Sequence, residues 1–340
     1  MAPEGVCVST ASTDLVLTTA PFVREGATTP RIMFEVLSAA LLVLLVACWN
    51  FGIGALLVVA AATAGAAGAE WLVSRSERPS RLRDYSALTT GVLLGLTLPP
   101  AFPLWMAFLG GVAGIGLGKL IWGGLGQNLF NPALLGLAFL QAAFPTAITT
   151  WSRPVEPGGV LSLPESLFAA PLLSAQADAV STATPLGLAK FENQVTELGS
   201  LFVGNISGSL GETSAALLLL CGIWLGARRI FDWRLPVSTL LSVAVLSGIL
   251  HYLSPESNPT PSFMLFSGGL LFGAVFMVTD PVTTPTTPRG AWLFGIGVGV
   301  LVVLIRLFGG LPEGVMYAIL LMNAATPHIN RYTQRRPFGV

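Results

Sequence analysis

A group of hydroxyl side chains beside a carboxylate lies near the middle of this 340-residue chain. It occupies residues 178–185, where Ser181, Thr182 and Thr184 follow Asp178. A threonine hydroxyl can accept a phosphoryl group, and the resulting phosphodiester would tether a nucleotide-like cofactor. Pro185 restricts Thr184 to an extended backbone, which would present its side chain to water and to a second enzyme. The alternative is a Ser/Thr-rich loop that carries no chemistry.

A glycine-bearing turn with an acidic residue, at residues 208–214, runs directly into an apolar stretch. Its backbone N–H groups could bind an anion or the edge of a cofactor ring, with Glu212 and Thr213 beside it. The alternative is an ordinary helix start, where a serine caps the helix and the helix dipole favours Glu212. A second glycine-rich turn, at residues 123–132, suits either a cofactor or ion contact or simple turn formation.

Acidic residues near the ends of apolar stretches are candidates for an ion path. Asp280 stands among three threonines where proline ends a helix, and Asp84 precedes another apolar stretch. The alternative for Asp280 is a polar exit loop, the interpretation that we favour. Glu35, Glu70 and Asp84 lie near span ends, where we expect their side chains to reach the headgroups and water.

The composition predicts a membrane protein. Only 10% of the residues are charged and 53% are hydrophobic, whereas soluble domains carry about 25% charged residues. The net charge is zero, which argues against a nucleic-acid partner. The three cysteines are far apart in sequence and there are two histidines, so we expect no metal site, iron–sulfur cluster or bis-His haem built by this chain alone. No catalytic side chain is predicted.

The apolar stretches predict an all-α polytopic membrane protein, because a membrane-crossing helix needs about 20 mostly apolar residues. Several stretches are short or rich in glycine, which lets helices pack closely in lipid. The ten predicted spans are residues 33–49, 53–73, 85–98, 104–120, 129–144, 212–227, 236–252, 262–279, 291–307 and 313–326.

The basic residues predict the orientation of these spans. With the N-terminus inside, 14 of the 17 basic residues fall on the inner side, and only Arg153 and Lys190 lie in an outer loop. The positive-inside rule therefore places both termini in the cytoplasm. Residues 1–32 contain no secretory signal pattern, which agrees with this placement.

A long outer connection divides the chain into two halves of five spans each. The predicted division is a cytoplasmic segment 1–32, a first membrane half 33–144, an outer loop 145–211, a second membrane half 212–326 and a cytoplasmic tail 327–340. A loop of this length is uncommon unless it is functional or disordered. Because each half has an odd number of spans, the halves would be inverted relative to each other. This symmetry is a hypothesis, since the halves share no clear sequence similarity.

Asp178, Ser181, Ala183 and Thr184 resemble the flavinylation motif of the RnfD/NqrB family. RnfD is a membrane component of Rnf complexes, and NqrB is its counterpart in the sodium-pumping NADH:quinone oxidoreductase. The acceptor threonine of that motif falls on Thr184. This sequence has Ala179 and Thr182 where glycine is common in the family, so Thr182 adds a second hydroxyl.

Other segments resemble the same family in the same order along the chain. They are residues 21–33, 84–100, 119–133, 208–214, 276–282 and 316–334. The ordered set covers nearly the whole chain, and its length is closer to the Rnf protein than to its sodium-pump relative.

The resemblance implies a flavin-carrying subunit of the bacterial inner membrane. In such a complex, electrons pass between ferredoxin and NAD while Na⁺ or H⁺ crosses the membrane. The resemblance implies FMN covalently bound to Thr184, further flavin such as riboflavin within the helices, other Rnf membrane and peripheral subunits as partners, and a flavin transferase during maturation. Membrane lipid surrounds the chain.

Two interpretations from other classes are open at this point. Ten glycine-rich spans in two halves also suit a channel or carrier for a small solute, without flavin. A structural scaffold for redox subunits would likewise lack flavin but would purify with them.

Overall fold

A computed structural model of the chain describes residues 28–74, 84–154, 163–170, 182–192, 194–204, 206–212 and 214–334. Within these ranges the chain forms helices and turns and no β-strand. This confirms the predicted all-α class. Residues 178–181, which open the hydroxyl cluster, and Thr213 lie outside the described residues.

The first half of the chain contributes five main helices. They are α1 (Thr29–Phe51), α2 (Ile53–Ser74), α3 (Ser86–Leu96), α4 (Leu104–Ile115) and α5 (Pro132–Ala143). Helix α4 continues as a π-helical turn, Gly116–Leu120, and a short helix α6, Pro145–Ile148, follows α5. The α3 helix is short and ends before the Pro99-Pro100 pair, because proline cannot continue the helical hydrogen bonding.

The outer connection and the second half contribute the remaining elements. Within the connection lie a 3₁₀ turn (Glu165–Phe168), α7 (Pro185–Phe191), α8 (Leu198–Val203) and a second 3₁₀ turn (Leu210–Glu212). The second half contains α9 (Ala215–Ala227), α10 (Arg234–Leu253), α11 (Pro261–Phe266), α12 (Leu270–Phe272) with a π-helical turn (Gly273–Met277), α13 (Pro288–Phe308) and α14 (Val315–Thr333).

Each predicted span contains helical structure. Among the described helices, four are long and apolar enough to cross a membrane by length and composition: α1, α2, α10 and α13. The eighth predicted span is interrupted between α11 and α12, where Gly268 has a left-handed φ of 64°. A glycine is needed there because other residues rarely adopt this conformation. The number of helices that cross the membrane stays a prediction.

A hydroxyl or amide side chain followed by proline begins four of the helices. Asn131, Thr184, Thr260 and Thr287 each accept a backbone N–H from the first turn of the helix that follows. Proline occupies the next position, where its missing N–H costs nothing. These caps explain why α5, α7, α11 and α13 begin where they do.

Small residues bring two pairs of helices into close contact. A Cβ on Gly111 of α4 would collide with the Ala62 carbonyl of α2. In the second half, a Cβ on Gly295 or Gly299 of α13 would collide with serine side chains of α10. In each half, therefore, the second helix packs along the fourth (α2 along α4, and α10 along α13), at a distance that only small residues permit.

One continuous apolar core joins the two halves. It includes fully buried residues from both, such as Leu134 of α5 and Phe294 of α13. At the predicted inner side, Glu35 of α1 forms an ion pair with Arg228 at the end of α9, with an Nε–Oε2 distance of 2.6 Å. The expectation that Glu35 reaches the headgroups is wrong, because it is 6% exposed and its charge is neutralised across the two halves.

A buried lysine fixes the inner end of the first half. Lys119 lies in the π-helical turn after α4 and is 2% exposed. Its ammonium lies 2.5 Å from Glu70 of α2, 2.5 Å from the hydroxyl of Ser86 in α3, and 3.6 Å from Asp84. Glu70 has no exposed surface, so the expectation that its carboxylate reaches water is also wrong. The π-helical turn directs the ammonium of Lys119 into the helix bundle, where it meets this carboxylate.

We expect Lys119→Met to destabilise the chain by about 3–5 kcal/mol, because it removes the cation beside a buried carboxylate. The midpoint of thermal unfolding in detergent should fall clearly. The double variant Lys119→Met with Glu70→Gln should recover part of the loss, since it removes both charges. An unfolding midpoint equal to that of the unmodified chain would show that this ion pair does not hold the helices.

Gly111→Ala should destabilise the chain by about 1–3 kcal/mol, because the added methyl meets backbone atoms that cannot move independently. Gly116→Ala is the matched control, since no atom lies within 4 Å of the position of its Cβ. Thermal unfolding of the two variants, side by side, tests the close packing of α2 on α4. Equal midpoints would contradict it.

Candidate functional site

Thr184 is the N-cap of α7. Its φ of −71° and ψ of 158° are extended, as predicted from Pro185, and its hydroxyl accepts the N–H of Gly187 at 3.1 Å. Thr184 is 8% exposed, so the expectation of an openly presented side chain is wrong for the folded chain. The start of α7 is packed against the second half, since Leu186 is buried in a small cluster with Phe263 of α11.

The other described residues of the motif hold the segment in place. Thr182 donates its hydroxyl to Ser207 at 2.9 Å, and its backbone N–H to the carbonyl of Trp151 at 3.0 Å. Ala183 is exposed. Asp178 and Ser181 fall outside the described residues, so their predicted part in the motif stays a prediction.

A cavity on the predicted outer side brings Thr184 together with both membrane halves. Its apolar walls come from α5, α6 and α14 and from the segment between α13 and α14. The polar residues that line it are Thr97, Gln141, Thr149, Trp151, Thr184, Glu313 and Tyr317. An apolar cavity with a few convergent polar groups is the usual form of a binding site for a planar organic cofactor.

An acidic residue of this cavity is held by the break between α11 and α12. Glu313 accepts the N–H of Gly269 at 2.7 Å and lies 4.0 Å from the guanidinium of Arg306. Arg306 is 3% exposed and donates to the carbonyls of Met264 at 2.6 Å and Ser267 at 3.0 Å. The guanidinium thereby satisfies carbonyls that the interrupted helix leaves free.

The side chains of Glu212 and Glu313 both lie close to Gly269. A Cβ on Gly269 would lie 3.2 Å from Glu212 and 3.6 Å from Glu313. The second 3₁₀ turn is fixed at the end of α3 by a hydrogen bond from Leu210 N–H to the Leu98 carbonyl. Glu212 therefore stands close to the outer cavity, in a cluster of charged residues with Glu313 and the buried Arg306. The predicted helix cap is supplied by Ser214, which accepts the N–H of Leu217.

Lys190, near the end of α7, contacts the second membrane half. Its ammonium donates to the carbonyls of Arg306 at 2.8 Å, Gly309 at 2.5 Å and Leu311 at 3.0 Å. Partial burial lowers the pKa of Lys190. Lys190 thus attaches the outer connection to the end of α13.

A second cavity, on the predicted inner side, gathers the residues predicted for an ion path. Its polar lining includes Ser86, Thr89, Lys119, Asn128, Thr279 and Asp280. Asp84, 3.6 Å from Lys119, is adjacent. Asp280 accepts the N–H of Val282 and the hydroxyl of Thr283, so it organises the turn after the π-helical segment as well as facing this space.

The glycine-rich turn before α5 takes the tight conformation that its sequence allows. Gly123, Gly124 and Gly126 have φ values of 104°, 115° and 92°, a region that favours glycine. Asn128 accepts the N–H of Gly126 at 3.2 Å and also lines the inner cavity. The segment therefore forms a tight turn and also contributes Asn128 to the inner cavity.

Three charged residues are not marked by any sequence motif: Glu313, which lines the outer cavity, and Arg306 and Lys190, which lie beside it. Arg306 is an isolated charge in an apolar helix, where an ionisable residue is costly unless it has partners. Its position near the end of a predicted span also permits contact with water, so the sequence alone does not predict a buried site there. No comparable signal marks Lys190 or Glu313, because their partners are distant in sequence.

Comparison with known proteins gives a match over nearly the whole chain. The model of the NQR2, RnfD, RnfE family matches residues 16–339. The D subunit of the proton-translocating ferredoxin:NAD⁺ oxidoreductase complex of Clostridium ljungdahlii is 38% identical over 334 residues, which cover 95% of this chain and 96% of that protein.

Two further relatives are named as the D subunit of an ion-translocating oxidoreductase complex. The protein of Stutzerimonas stutzeri is 43% identical over 84% of this chain and 83% of its own length. That of Pseudomonas aeruginosa is 40% identical over 94% of this chain and 95% of its own length. These matches confirm the resemblance seen in the ordered sequence segments, and the chain belongs to the NQR2, RnfD, RnfE family of polytopic membrane proteins.

Proposed function

We propose that this chain is the flavin-carrying membrane subunit of an Rnf-type complex, with FMN joined through its phosphate to Thr184. The complex would couple electron transfer between ferredoxin and NAD to the movement of Na⁺ or H⁺. The observation that carries the proposal is the position of Thr184: the predicted acceptor residue lines a cavity shared by both membrane halves.

The residues of the outer cavity fit a flavin. Aliphatic side chains of α5 and α14 and the indole of Trp151 provide apolar surface for a planar ring system. Gln141 and Tyr317 can donate hydrogen bonds to the polar edge of such a ring. The hydroxyl of Thr184 is used as an acceptor within α7, which fixes its direction.

A flavin supplies one- or two-electron transfer, which suits a relay between one-electron centres, and the chain supplies attachment, orientation and charge. Covalent attachment retains the cofactor on a face where a dissociating flavin would be lost. Arg306 and the Gly269 N–H hold Glu313 at the cavity wall. The negative charge of its carboxylate would therefore lie beside the proposed flavin, which accepts the electron.

The proposed placement follows from charge distribution. We infer that the chain resides in the bacterial inner membrane with both termini in the cytoplasm, since 14 of its 17 basic residues then lie inside. The outer connection would face the compartment where a flavin transferase acts. Other Rnf-type membrane and peripheral subunits would contact this chain, and lipid would cover its apolar outer surface.

The inner cavity is the proposed place for the remaining functions of the family. Lys119, Asn128 and Asp280 line it together, and these groups could bind a second flavin such as riboflavin, or begin an ion path with Asp84. The support is the gathering of polar side chains from both membrane halves around one cavity.

Thr184→Ala should abolish the covalent flavin, seen as loss of in-gel fluorescence of the denatured chain. Thr184→Asn should have the same effect while keeping a capping acceptor for α7, which separates lost attachment from lost capping. Mass spectrometry of the peptide that contains Thr184 should show the added mass of FMN in the unmodified chain.

Thr182→Ala is the control for that experiment, because Thr182 is the neighbouring hydroxyl of the motif. It should retain the fluorescence. If Thr182→Ala removed the flavin and Thr184→Ala did not, the acceptor would be Thr182. An unmodified chain without flavin absorbance after acid precipitation would instead favour a channel or a scaffold.

Glu313→Gln should raise the midpoint potential of the flavin bound at Thr184 by tens of millivolts. A unit charge several ångströms away is worth on the order of 1–2 kcal/mol at an effective dielectric constant of about 20, and removing a negative charge favours the reduced cofactor. Glutamine can still accept the Gly269 N–H. Glu192→Gln, an exposed carboxylate after α7, is the control, and a redox titration measures both. An unchanged or lowered potential in Glu313→Gln would contradict the assignment.

A further inference from the structure

Two of the walls of the outer cavity are far apart in sequence. One is the start of α7, which carries Thr184, and the other is the segment after α13, which contributes Leu311, Pro312 and Glu313. The distance between these walls decides how tightly a group attached at Thr184 is held.

The side chain of Lys190 connects these two walls. Lys190, in the last turn of α7, donates three hydrogen bonds to carbonyls of the other wall and of the end of α13, those of Arg306, Gly309 and Leu311. The last carbonyls of a helix have no partner within the helix and carry partial negative charge. An ammonium group has three N–H donors and a positive charge, so it can bind three such carbonyl oxygens at once.

Because α7 is short, the contact of Lys190 also restrains Thr184 at the other end of the helix. The helix has seven residues, with Thr184 as its N-cap and Lys190 in its last turn, so both ends belong to one short rigid unit. Leu186 packs near its start, and Lys190 fixes its end. Ala189 packs against the same cluster as Leu186. Without Lys190, α7 would keep these apolar contacts but lose three hydrogen bonds to the end of α13 and the segment after it.

We infer that Lys190 is a positioning residue, which fixes α7 and the segment after α13 relative to each other and so holds the Thr184-borne group in the outer cavity. This inference rests on the proposed function for the identity of the group, but the attachment of α7 does not depend on it.

The first test uses the full complex and the covalent flavin. Lys190→Met keeps the length of the side chain and removes its donors. In-gel fluorescence should show that the flavin is still attached, while its quenching by iodide in the native complex should rise several-fold. Lys190→Arg, which retains charge and donors, should restore much of the protection. Arg153→Met, at the exposed basic residue of the same connection, should leave quenching unchanged.

The second test does not require flavin. A nitroxide is attached at Ala183→Cys, an exposed position beside Thr184, in a full chain whose native cysteines are replaced by alanine. Lys190→Met should increase the mobility of the nitroxide in its paramagnetic resonance spectrum, and Lys190→Arg should not. Unchanged mobility together with unchanged quenching would overturn the role of Lys190 and leave the flavin assignment standing. Increased mobility, together with an unmodified chain that carries no flavin, would support the role of Lys190 and overturn the proposed function.

Discussion

The structure depends on the pairing of charges that lie inside an apolar bundle. A buried cation is tolerated only when carboxylates or carbonyl oxygens surround it, because its desolvation is costly. Lys119 meets this constraint with Glu70, Asp84 and the hydroxyl of Ser86. Arg306 meets it with Glu313 and with carbonyls that the break after α11 leaves free. Each cation therefore fixes the position of several helix ends at once.

The two cations occupy comparable places in the two halves. Each lies at the end of the fourth helix of its half and contacts the third, so Lys119 reaches the start of α3 and Arg306 reaches the end of α11. In both halves the second helix packs along the fourth through small residues. This parallel is what an inverted repeat would produce, although the sequences of the halves do not show it. The inner cavity lies beside Lys119, and the outer cavity lies beside Arg306.

Much of the fold can be predicted from the sequence because it follows from local rules. Apolar stretches give the helices, and a Thr-Pro or Asn-Pro pair marks the start of several. The break at Gly268 was missed because the surrounding residues are as apolar as those of an uninterrupted span. The position of Glu35 and Glu70 was also missed, because their partners Arg228 and Lys119 are distant in sequence and only tertiary packing brings them together.

The burial of Thr184 has a consequence for the order of events during biogenesis. Its hydroxyl caps α7 and the residue is 8% exposed, whereas a transferase must surround an acceptor side chain to modify it. Modification at this residue would have to occur while α7 is still undocked, or require the helix to detach again. The time between membrane insertion and docking of α7 would then limit how many chains leave assembly loaded with their prosthetic group.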